Sequence, residues 1–151
     1  MSFALKQQIH NTILNTINSN ITRLQQQLHE LQLSAANETK STAGDKYETA
    51  LAMLQIEQHN TKIQLQQALE QKAMVANIDP TSVQKSIQNG SLIITSEGYF
   101  YIAVAMQKII INQISIYPLS LQSPLGKAFL SFNHNKPIIF QNKIYNILQV
   151  M

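Results

Sequence analysis

Two long stretches without proline or glycine, residues 2–33 and 46–76, each carry one apolar seam. That pairing limits the folds open to the chain. In the first stretch Leu14, Ile17, Ile21, Leu24, Leu28 and Leu31 step by three and four residues, the spacing of a helix packed on another helix. Extended backwards, the same series meets His10 and Gln7, so the seam weakens before Leu14. The second stretch repeats the steps through Tyr47, Leu51, Leu54, Gln58, Thr61, Leu65, Ala68 and Lys72, with polar residues admitted midway. Such polar seam residues specify register at a cost in stability, and they leave room for a weak homo-oligomer in which a second copy pairs with the helices. Two seams joined by a short connection pair most simply antiparallel, as helices ~45 Å long at about 1.5 Å per residue.

Small and hydroxyl residues fill the connection, residues 34–44, where Gly44 interrupts the helix pattern. Asp45 is placed to open the second helix, with Glu48 three residues on, the spacing of a capping box. Glu38, Asp45 and Glu48 therefore cluster in sequence at the turn. Asp45 and Glu48 can cap the helix, or the carboxylates can offer hard oxygen ligands to Mg²⁺, and one role does not exclude the other.

Pro80 ends the hairpin, because it cannot continue a helix and biases Asp79 away from helical geometry. The hairpin thus takes residues 1–78, with its acidic tip around 35–48, and a second domain takes 79–151. There the hydrophobic period changes. SLIIT (91–95) and YFYIAVA (99–105) predict strands around a Ser96-Glu97-Gly98 turn. Residues 109–117 predict one strand bent near Asn112, and residues 137–140 and 143–150 a last hairpin around Gln141-Asn142. Between them Ser123 is a natural N-cap and Pro124 suits the first helical position. About five strands with one short helix make the whole an α+β protein.

Composition excludes several functions. The chain has no cysteine, which removes disulfides, thiolate nucleophiles and thiolate-held metals. Its four histidines, His10, His29, His59 and His134, share no metal-ligand spacing and are expected at the surface. No nucleophile elbow, phosphate loop or dinucleotide fingerprint is present. Only 13% of residues are charged; Gln and Asn supply much of the polar surface, and they fall between regularly spaced Leu and Ile as a helix surface requires. The net charge of +3 is uneven. Up to Asp79 seven acids face six bases, whereas from Pro80 five lysines face Glu97 alone. Scattered lysines without arginine do not form a base-reading surface. With no basic, apolar leader and no stretch of the roughly 20 apolar residues that a bilayer crossing needs, a cytoplasmic protein without membrane contact is expected.

A helical hairpin with acids at its turn, followed by a β-rich domain containing SPLGKA, resembles the Gre family of bacterial transcription elongation (transcript-cleavage) factors. The sequence support lies in residues 44–50 (GDKYETA) and 114–130 (ISIYPLSLQSPLGKAFL). The resemblance implies an antiparallel coiled-coil hairpin and an FKBP-like C-terminal domain. It implies RNA polymerase core as the partner, with the domain at the rim of the secondary channel and the hairpin tip inside. Nascent RNA would then be met only indirectly. The protein would be an accessory factor rather than an enzyme, with no cofactor of its own. Asp45 and Glu48 are the best matches for the tip acids that share a Mg²⁺ with the polymerase, and Glu38 is third. Tyr47, Ser123, Pro124 and Lys127 mark the matching segments for binding. Two departures stand out: the acids closely flank Tyr47 instead of lying further ahead of it, and Ser131-Phe132 replaces the usual Gly-Lys. A divergent member could occupy the channel without cleaving. A non-catalytic coiled-coil interaction or chaperone-like module is the alternative. A prolyl isomerase is disfavoured, since the chain has no Trp and its aromatic residues fit strand positions.

Overall fold

The computed structural model describes residues 2–38, 44–83, 85–133 and 136–151, with backbone alone at residues 2 and 44–47. Two long helices come first, α1 (Ser2–Glu38) and α2 (Gly44–Ala76). The connection is shorter than its composition suggests: Ser34, Ala35, Ala36, Asn37 and Glu38 all continue α1, and the alanines favour this. Gly44 starts α2 instead of breaking it, so Asp45 lies inside the first turn. By contacts the chain forms two compact units, Leu14–Ala73 and Met1–Ile13 with Met74–Met151.

The Leu14–Ala73 unit is a pair of helices. Gln27 donates to the Thr61 hydroxyl and Gln58 donates to the Leu31 carbonyl, both at 3.3 Å. One helix is read forward while the other is read backward, so they run antiparallel. Ile17, Ile21 and Leu24 are buried from α1, and Thr61 and Ala68 from α2. Leu28, Leu31, Leu51, Leu54 and Leu65 are half-buried, so the expected seam holds from Ile17 onward. Lys72 is exposed, against its expected seam position, and the next buried residue of α2 is Val75.

The other unit is built on a mixed five-stranded sheet. Its strands are β1 (Leu92–Thr95), β2 (Gly98–Ile102), β3 (Ile109–Ile111), β4 (Ile114–Leu119) and β7 (Ile147–Val150), in the order β3-β4-β2-β1-β7. β2 and β4 are parallel and the other pairs antiparallel. Helix α3 (Pro124–Leu130) and a separate ribbon of β5 (Ile138–Phe140) and β6 (Lys143–Tyr145) complete it. The single bent strand expected over 109–117 is instead a hairpin. Asn112 and Gln113 take φ of 51° and 66°, the two left-handed residues of a type I′ turn. Gln141 and Asn142, at 49° and 63°, turn the β5–β6 ribbon the same way.

Alternation along the strands gives the sheet two covered faces. On one, Ile93, Phe100, Ile102 and Leu119 pack with Phe129 of α3 and with Ile138 and Tyr145 of the ribbon. Phe100 is central, its ring 5.1 Å from Phe129, 5.4 Å from Tyr117 and 5.8 Å from Tyr145. On the other face Leu92, Tyr101 and Ile116 are fully buried. The first turns of α1 reach this face, where the His10 ring meets Tyr101 edge-on. No helix among the described residues is long and apolar enough to cross a membrane.

Candidate functional site

The acidic turn is described in part. Glu38, the last residue of α1, is half-buried, and Glu48, the fifth residue of α2, is exposed. The side chains of Asp45 and Tyr47 lie outside the described residues. The backbone places Asp45 second and Glu48 fifth in α2, so Asp45 does not precede the helix as the expected capping box requires. Among the described residues no group of three or more His, Asp or Glu side chains converges as a metal site would require.

The α3 segment is fully described. Ser123 sits outside the helix with extended backbone (φ −68°, ψ 156°), and its hydroxyl accepts from the Gly126 amide at 3.0 Å. The same hydroxyl donates to the Ser120 carbonyl at 2.6 Å, which ties the cap to the end of β4. Pro124 occupies the first turn, as its lack of an N–H favours. Gly126 passes so close to residue 120 that an added methyl group would overlap the Ser120 carbonyl oxygen. Pro124 and Lys127 are exposed and Ser123 is half-buried. The segment that carries the family resemblance is therefore a strand, a tight loop and a capped helix in unbroken order.

A third group was invisible in the sequence. His10, expected at the surface, is 5% exposed, and Lys6 one helical turn before it is fully buried. The reason is β2: the Tyr101 hydroxyl and His10 Nδ1 share a hydrogen bond at 3.0 Å, so the helix can set a polar face on the sheet. Lys6 Nζ donates to the Ser82 carbonyl at 2.9 Å. Asp79 stands nearby, exposed, accepting from both the hydroxyl (2.6 Å) and the amide (2.9 Å) of Thr81. Those bonds hold the Asp79 carboxyl below its usual range. Burial lowers both Lys6 and His10 from their ordinary values and outweighs Asp79, which pulls the other way. Burial likewise pushes the Tyr101 phenol up. His29 and His59 are exposed as expected, and His134 lies outside the described residues.

An open cleft of about 380 Å³ lies along β7, lined by Val83, Lys85, Phe132 and residues 147–150. Its polar groups among the described residues are Lys85 and Gln149, on an otherwise apolar wall. Among the described residues it holds no pair of groups that would move a proton.

Comparison with family models, with curated proteins and with solved structures finds no match.

Proposed function

We propose that the chain is a polymerase-binding elongation factor of the Gre type: its sheet domain docks on RNA polymerase core and its helical turn enters the secondary channel. The observation that supports this reading is the 114–130 segment. Its Ser-Pro helix start is held by the Ser123 cap and by Gly126, where an added Cβ would meet the Ser120 backbone. Where the tip is catalytic, Asp45 and Glu48, with Glu38 third, would share a Mg²⁺ with the polymerase, as hard carboxylate oxygens that leave the metal some of its water. Purified protein is expected to co-sediment with core polymerase of its own organism. The Asp45→Ala/Glu48→Ala variant is expected to keep that binding and lose any stimulation of transcript cleavage in a stalled complex. Absence of binding by the wild-type protein would refute the reading.

A second reading, a helix-pairing interaction module without cleavage, is favoured by one observation. Ile56 and Ile63 are 60% and 44% exposed, on the face of α2 away from the buried Thr61 and Ala68, and Met53, which flanks the seam, is 61% exposed. Under this reading wild-type protein fails to bind polymerase, and acid-to-alanine changes at the turn have no effect on the partner it does bind.

A further inference from the structure

Three polar side chains meet where α1 begins on the sheet: Lys6, His10 and Tyr101, all buried. Lys6 and His10 share one helix face, being four residues apart. Lys6 is tied to the Ser82 carbonyl and His10 to the Tyr101 hydroxyl, so two hydrogen bonds fasten one turn and a half of helix to two different segments. We propose that this cluster is an acid-opened latch: when His10 takes up a proton, the first turns of α1 come away from β2 and from the 79–82 turn.

The chemistry is one of donors and acceptors in a dry site. A neutral imidazole shares one hydrogen bond between Nδ1 and the Tyr101 hydroxyl, and which of the two donates is set by the tautomer. A protonated ring has two N–H groups and no lone pair, so the phenol can act only as acceptor and its own O–H needs another partner. Burial penalises the charged ring, as the lowered His10 value reflects. Charges around the ring do little to offset it. On its own helix stands Lys6, a buried cation. From β2 comes Tyr101, whose phenol burial keeps neutral. The 79–82 turn supplies Asp79, the opposing charge among the described residues, which is exposed and engaged with Thr81. In the open form the ring meets water and titrates near its ordinary 6.5. The sign follows: the latch is fully closed above about pH 6.5, and closure weakens as pH falls from there to the folded value of His10.

The test uses the full chain and two NMR measurements. Side-chain titration should show His10 protonating below 6.5, and further below it in Asp79→Asn, which keeps an oxygen for Thr81 but loses the charge. Amide exchange, corrected for its intrinsic pH dependence, should show protection over residues 5–13 falling between pH 7.5 and 5 while residues 99–102 keep theirs. The fall should be about tenfold for each pH unit by which His10 titrates below 6.5. In His10→Gln, which cannot titrate, the fall should vanish. A His10 that titrates at or above 6.5 would overturn the latch. So would protection that is unchanged over 5–13, or that falls equally over 5–13 and 99–102.

Discussion

Gly126 shows how one atom can fix a loop. The chain leaves β4, turns at Ser120 and enters α3 so tightly that the Gly126 Cα faces the Ser120 carbonyl, with the Leu121 Cα 3.0 Å from where a Cβ would be. Both obstacles are backbone, so neither can swing aside. Gly126→Ala should therefore destabilise the sheet domain by about 2–3 kcal/mol, at the upper end of ordinary overpacking, although alanine is the better helix former. Urea unfolding checks this, and an unchanged midpoint would show that the loop can shift. Ser123 and Pro124 could be read as cap and first residue because their preferences come from local backbone chemistry, which sequence carries directly. His10 and Lys6 could not, because what buries them is Tyr101 and Ser82, more than 70 residues away.

At the scale of elements, hydrophobic period located both long helices and most strands, and it failed where polarity or turn chemistry departed from the usual pattern. Residues 109–117 read as one strand because the Asn112-Gln113 turn lacks the glycine that normally marks a type I′ hairpin. Gln113 holds a φ of 66° without that freedom. Replacing it should relieve the strain: Gln113→Gly creates the favoured Asn-Gly pair. A gain of about 0.5–1 kcal/mol is expected, less the entropy that glycine adds to the unfolded chain. Thermal unfolding should show it as a modest rise in Tm, and a fall would mean that the Gln113 side chain contributes more than its backbone costs. The same limit applied to the seams. Leu14 fits the heptad, yet Ile9 and Ile13 are the fully buried residues, because there α1 belongs to the sheet unit and answers to its surface.

Over the whole molecule, charge is divided as the fold is. The sheet unit holds six lysines against Asp79 and Glu97, and one of those lysines, Lys6, has no access to solvent. A buried ammonium is retained at a cost, and here its counter-charge is exposed, so removing the lysine strands no buried anion. Lys6→Met, which keeps length and apolar stem, is therefore expected to be as stable as wild type at pH 7 or up to about 2 kcal/mol more so. The pH dependence sharpens the test. Burial lowers Lys6 from 10.5, so between its folded value and 10.5 the unfolded chain holds more protons and wild-type stability gains with rising pH. Tyr101 acts oppositely above about pH 10, since its folded phenol stays protonated longer, but it is common to both proteins and cancels in their difference. The variant's advantage should thus be largest near neutrality and shrink as pH approaches 10.5. Denaturant unfolding of both proteins at pH 7, 8.5 and 10 measures this. A variant less stable than wild type at pH 7, with a gap that does not change with pH, would mean that the Lys6–Ser82 bond outweighs the buried charge.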